Sequence, residues 1–128
     1  LTKVRPENCC NESDGFSEQT VFDIGSDAVH VGDLAPNGAQ LRPHIVWFGE
    51  AVPKIEQAID AVEAADIILI VGTSLQVYPA AGLVSFANAG TEIYLIDPKP
   101  VRVPNGIDIK VIQKGASEGM AILCNELA

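Results

Sequence analysis

The stretch Ile67-Ile68-Leu69-Ile70-Val71-Gly72-Thr73-Ser74 decides how the chain is read. Its five apolar residues, four of them β-branched, form a run too short for a helix. Such a run suits a parallel strand buried on both faces. Gly72 breaks it. On the N-terminal side, Ile55, Ala58, Ile59 and Val62 recur at helical spacing, with Glu56, Asp60 and Glu63 between them. Pro53 opens that helix, where its missing N–H costs nothing. On the C-terminal side, Pro79 starts a second helix running to about Asn88, with Gly90 as its cap. Glu92-Ile93-Tyr94-Leu95-Ile96 reads as the next strand and ends at Asp97-Pro98. Residues 107–112 read as a last strand, and residues 116–127 as a closing amphipathic helix. Further upstream, His44-Ile45-Val46-Trp47-Phe48 is β-rich and stops at Gly49.

The order is strand, helix, strand, helix, strand, strand, helix. Alternation of this kind predicts an α/β fold built on an open, mostly parallel sheet. Ligands of such sheets sit outside the carboxyl ends of the strands. Three loops at those ends carry unusual residues: Phe48-Gly49-Glu50, Gly72-Thr73-Ser74 and Asp97-Pro98. Residues 1–40 differ in character, being polar and irregular. Asn11-Glu12-Ser13-Asp14-Gly15 reads there as a mobile loop, and Thr20-Val21-Phe22-Asp23-Ile24 as a short strand. The expected division is therefore residues 1–40 and residues 41–128.

Composition narrows the function classes. The 128 residues suit a single domain, and 48% hydrophobic with 20% charged describes a globular chain. Eight Lys and Arg against 17 Asp and Glu give a net charge of −9. That balance disfavours nucleic acid and anionic membranes, which need basic patches. It is compatible with a basic partner such as a lysine-bearing peptide, but reads first as a merely solvated acidic face. The longest apolar run, Ile67–Val71, is far short of the roughly 20 residues of a membrane span. The chain opens without an initiator Met or an apolar signal region, so a piece of a longer protein is expected.

Three cysteines make no disulfide framework. Cys9 and Cys10 are adjacent, and Cys124 falls on a helical pattern with Met120, Leu123 and Leu127, where it is expected to pack as a small apolar residue. No Cys-x-x-Cys occurs, so no metal site is expected. A reducing, cytoplasmic compartment fits this usage.

Several residues carry possible chemistry. Gly72-Thr73-Ser74 is either a plain turn or a loop that lets phosphate or ribose oxygens approach the backbone and two hydroxyls. Asp97 is either the start of an Asp-Pro turn or an acceptor for ribose hydroxyls. Trp47 and Phe48 either fill a core or line a groove for an extended peptide, with Ile45 inward and one aromatic exposed. His30 and His44 are the only histidines, and a structural or surface role is expected of both.

Two motifs then match a family. Leu41-Arg42-Pro43-His44-Ile45-Val46-Trp47-Phe48-Gly49-Glu50 closely resembles the sirtuin segment that lines the acyl-lysine peptide cleft. Gly72-Thr73-Ser74-Leu75-Gln76-Val77-Tyr78-Pro79-Ala80-Ala81 resembles the second sirtuin signature, which contacts NAD and peptide. Ile93–Asp97 and Lys114-Gly115-Ala116 stand where the family places its adenosine-binding strand end and its adenine loop.

The resemblance implies the C-terminal part of a Rossmann-like domain, with the remnant of a small zinc-free module over residues 1–40. It implies a fragment of an NAD-dependent protein lysine deacylase. Gly72, Thr73, Ser74, Asp97 and Ala116 would hold NAD. Val46, Trp47, Phe48, Gly49, Glu50, Val77 and Tyr78 would hold an acylated lysine peptide, with the Val46 carbonyl accepting the acyl-lysine N–H. Asp97 replaces the usual family Asn. The family's catalytic His-Gly and glycine-rich NAD loop are expected before Leu1, so no catalytic residue is assigned and the isolated chain is expected to be inactive. A half sheet is also expected to self-associate. Two alternatives stand beside this reading: a cofactor-binding domain of a thiamine-diphosphate enzyme, which has no use for Trp47-Phe48-Gly49-Glu50, and a non-catalytic module for ADP-ribose or peptide.

Overall fold

Residues 2–7 and 20–128 are described by a computed structural model. The chain divides into two compact units, Leu1–Pro53 and Lys54–Ala128. The expected boundary after residue 40 falls inside the first unit, because a strand beyond it pairs with one near the N-terminus.

In the first unit β1 (Lys3–Pro6) is the centre of an antiparallel sheet, with β2 (Phe22–Asp23) on one side and β3 (Leu41–Pro43) on the other. β1 was not anticipated. Only two residues of the weak Thr20–Ile24 alternation become strand. Val4, 1% exposed, Arg5, 2% exposed, and Pro6 are all buried, so β1 is covered on both faces. The loop before β3 is closed by one side chain. The Gln40 amide donates to the carbonyls of His30 and Leu41 at 2.9 and 2.8 Å, while its oxygen accepts the Gly32 N–H at 2.7 Å. Cys9, Cys10 and the Asn11–Gly15 loop lie outside the described residues.

The strand expected over His44–Phe48 does not form. Pairing ends at Pro43, and the following residues make an irregular segment and a turn. β-rich composition was outweighed by long-range bonds to this segment, described below.

In the second unit α1 (Ile55–Glu63) leads to β4 (Ile67–Val71), a 3-10 helix at Ala80–Phe86, β5 (Glu92–Ile96), β6 (Lys110–Ile112) and α2 (Ala116–Leu127). The three strands form a parallel sheet in the order β4-β5-β6. Ile67 pairs with Glu92 and Val71 with Ile96, and Ile96 pairs with Ile112. The helical spacing in α1 holds: Ile55, Ala58, Ile59 and Val62 are half-buried while Glu56, Asp60 and Glu63 are exposed. The second helix is shorter than expected and of the tighter 3-10 kind. It ends at Phe86, and Gly90, at φ +100°, serves the turn into β5 rather than the helix. The last strand is likewise shorter than the expected 107–112.

β5 is the core of this unit. Ile93 to Ile96 are all at most 4% exposed, and Tyr94 and Ile96 pack on Leu123 of α2, with Ile112 and Met120 against them. Each such side chain contributes about 1.5–3 kcal/mol of burial. β4 corrects the expectation of two buried faces. Ile67, Leu69 and Val71 are 40–45% exposed, since among the described residues β4 pairs only with β5 and nothing covers that face. Cys124 is also exposed rather than packed. The buried side of α2 is Gly119, Met120 and Leu123, and the next residue turns about 100° away from it.

Candidate functional site

The parallel order fixes the geometry of the second unit. All three strands point the same way, so the loops leaving them share one edge of the sheet. Gly72-Thr73-Ser74 follows β4, Asp97 follows β5, and Gly115-Ala116 follows β6 at the start of α2. The strand ends are tied together: Gly72 donates its N–H to Ile96 O at 2.9 Å, and Asp97 to Ile112 O at 3.4 Å. Neighbouring strands lie about 4.8 Å apart, so the edge from β4 to β6 spans roughly 10 Å, the scale of a nucleoside.

Each position has its own chemistry. Gly72 has φ +65°, and a Cβ built there would meet nothing within 4 Å. The backbone is therefore open to a ligand at a conformation that disfavours side chains. Thr73 and Ser74 are exposed. Thr73 Oγ1 accepts the Leu75 N–H at 3.3 Å, and Leu75 itself adopts φ +53°, unusual for a residue with a side chain. Asp97 is half-buried, and its Oδ1 accepts the Lys99 N–H at 2.8 Å. The turn reading of Asp97 is thus realised by one oxygen, which leaves Oδ2 for a hydroxyl. Gly115 precedes α2 in extended conformation and no side chain caps the helix. The first N–H groups of α2 are thereby left open at this edge, with Lys114 beside them bonded to Glu118 at 2.7 Å. Val77 and Tyr78, between β4 and the 3-10 helix, are 53% and 73% exposed.

A second opening in this unit is an apolar cleft of ≈ 400 Å³ between β4 and the 3-10 helix, lined by Ile68, Ile70, Leu75, Val77, Ala81 and Val84 among others. It holds no titratable group.

The first unit carries the remaining positions. Val46, Trp47, Phe48 and Gly49 form an exposed turn, with Phe48 92% and Trp47 55% exposed, so both aromatics face outward rather than one. Ile45 is half-buried as expected. Glu50 points back. Arg5 Nη2 donates to Glu50 Oε2 at 2.7 Å and to the Ile45 carbonyl at 2.7 Å. Arg42 donates to Glu50 Oε1 and, at 3.3 Å, to the same Ile45 carbonyl. Glu50 Oε2 also accepts the Trp47 N–H at 3.0 Å. Burial by itself raises the Glu50 pKa. The Trp47 N–H and the charges of Arg42 and Arg5 outweigh it and hold the carboxyl below its ordinary value.

Sequence reading placed Glu50 in the motif but missed Arg5 altogether. Its partner lies 45 residues away, and no local pattern announces a pair at that separation. Among the described residues no group of three or more His, Cys, Asp and Glu is placed to hold a metal ion.

Comparison with known proteins identifies the family and the fold. A model of the Sir2 family matches residues 2–79, more than half of the chain. An NAD-dependent protein deacylase of Bacteroides thetaiotaomicron is 51% identical over 122 residues, covering 94% of this chain and 50% of that protein. One from Aggregatibacter actinomycetemcomitans is 63% identical over 70 residues, 55% of this chain and 34% of that protein. A crystal structure of a Sir2 homologue in complex with NAD superposes with a TM-score of 0.72 at 31% identity, covering 99% of this chain and 48% of that one. The chain spans about half the length or less of these relatives.

Proposed function

The chain belongs to the Sir2 family, and from that premise we propose that it supplies nucleotide-holding and peptide-holding surfaces of an NAD-dependent protein lysine deacylase. The observation that carries this is the shared edge of the second unit. There Gly72, Thr73, Ser74, Asp97 and Ala116 leave three adjacent parallel strands on one side.

The residues suit NAD. The open backbone at Gly72 and the hydroxyls of Thr73 and Ser74 match phosphate and ribose oxygens. Asp97 Oδ2 accepts a ribose hydroxyl, and the first N–H groups of α2 meet the adenine or a phosphate. When bound, NAD supplies an electrophilic ribose carbon and nicotinamide as leaving group. The chain's own residues position the dinucleotide and keep its adenosine half out of water. In the first unit, the Val46–Gly49 turn presents the Val46 carbonyl and two exposed aromatics to an extended peptide. Val77 and Tyr78 offer exposed apolar contacts for the same class of ligand.

The proton-transfer group is not assigned to these residues. Of the two histidines, His30 sits on an exposed loop 3.5 Å from Asp33, and His44 is half-buried with its N–H bonded to Lys3 O. Neither belongs to the second unit. Family membership leaves the thiamine-diphosphate alternative without support.

Calorimetric titration with ADP-ribose tests the reading. Binding is expected, weakened about tenfold by Asp97→Ala and much less by Asp97→Asn, which keeps an acceptor. No binding, or equal loss in both variants, overturns it. Nicotinamide release from NAD and an acetyl-lysine peptide is expected to be undetectable with the 128 residues alone. Turnover would refute the expectation that the 128 residues alone are inactive.

A further inference from the structure

Arg5 and Arg42 face each other directly across the antiparallel β1–β3 pair. Like charges so placed repel, and Arg5 is 2% exposed, so water does little to relieve them. The structure places one carboxylate between them. Each oxygen of Glu50 takes one guanidinium, and Oε2 also takes the Trp47 N–H. The return bond, Glu50 N–H to Trp47 O at 3.1 Å, closes the turn. Both arginines also hold the Ile45 carbonyl. No strand ladder reaches residues 46–49, and Gly49 turns at φ +88°. The shape of the exposed Val46–Gly49 turn is thus set from behind by one side chain at its end.

We propose that Glu50 is a positioning residue: gripped by Arg5 and Arg42, its carboxylate holds the Trp47 backbone, so that Val46, Trp47 and Phe48 stay presented outward while Glu50 itself touches no ligand. The inference that this turn faces a peptide rests on the function proposed above; the clamp itself does not.

Trp47 is the single tryptophan of the chain, so its emission reports on this turn alone. Acidifying the 128-residue chain is expected to give a step in Trp47 emission at a pH below 4.5, the ordinary value for this carboxyl, as Glu50 protonates. Glu50→Gln keeps an acceptor but removes the charge. It is expected to abolish the step, to leave the far-UV circular dichroism unchanged, and to speed exchange of the Trp47 amide about tenfold. Arg42→Gln, which spares Arg5, is expected to move the step toward 4.5 and guards against a Glu50 variant that fails to fold. Fluorescence anisotropy with a labelled acetyl-lysine peptide should show weaker binding to Glu50→Gln, restored in part by Glu50→Asp. An unchanged acid step in Glu50→Gln, or unchanged Trp47 amide exchange, overturns the clamp. Loss of the step with no peptide binding even by the unsubstituted chain supports the clamp and refutes the peptide reading.

Discussion

Gly119, at the end of the first turn of α2, gives a prediction whose sign is informative. An exposed glycine within a helix is destabilising, and replacing it with alanine gains about 1 kcal/mol. Gly119 is buried, however, and a Cβ built on it would overlap Ile96 Cγ2 and lie 3.5 Å from Ile96 Cβ and Cδ1. Ile96 is 1% exposed and packed with Tyr94 and Leu123, so it has no room to yield. Overpacking of this kind costs about 1–3 kcal/mol. The balance for Gly119→Ala is a net destabilisation of about 1 kcal/mol. Urea unfolding followed by far-UV circular dichroism measures it. The same substitution made beside Ile96→Leu, which lacks the branched Cγ2, should cost less or turn stabilising. Gly119→Ala raising stability in the unsubstituted background would refute the close approach of α2 to β5. The consequence reaches the site, because α2 begins at the edge where Asp97 lies, and a helix pushed outward carries the Ala116 N–H with it.

Three further outcomes follow from single observations. Gly72→Ala, at φ +65°, is expected to cost about 1 kcal/mol in urea unfolding although its Cβ meets nothing; no loss would mean the loop relaxes freely. The Lys110 ammonium bonds Glu92 at 2.6 Å, and this bond, with the Tyr94 hydroxyl, holds the Glu92 pKa below its ordinary 4.5. Its stabilising contribution is therefore complete above pH 4.5 and fades as pH falls through the lower folded value. Lys110→Met should return the Glu92 titration, read by NMR, toward 4.5, and an unmoved titration would contradict the pairing. The open apolar face of Ile67, Leu69 and Val71 predicts association that grows with concentration. Sedimentation should show Leu69→Lys reducing it, and a monomer at all concentrations would remove the claim.

Much of the second unit was legible because its signals are local. β5 falls on the expected Glu92–Ile96, α2 on residues 116–127, and the stripe of Ile55, Ala58, Ile59 and Val62 faces inward as its period requires. Gly72 and Asp97 could be placed at strand ends because each closes an apolar run. What escaped depended on distant partners. A uniformly apolar run cannot reveal that Ile67, Leu69 and Val71 remain open, since that depends on what flanks the strand. His44–Phe48 has strand-forming side chains, yet Arg5, Arg42 and Glu50 fold it into a turn through bonds spanning up to 45 residues. The short 3-10 helix at Ala80–Phe86 carries the proline of a helix start but too little length for an α-helical period to assert itself.

The most direct test is an ADP-ribose titration of the isotopically labelled chain, followed by its backbone amide resonances. Saturable shifts are expected at Gly72, Thr73, Ser74, Asp97 and Ala116, the edge where β4, β5 and β6 end. Shifts confined to the opposite edge, around Glu92 and Gly106, or none at all, would contradict the proposed site.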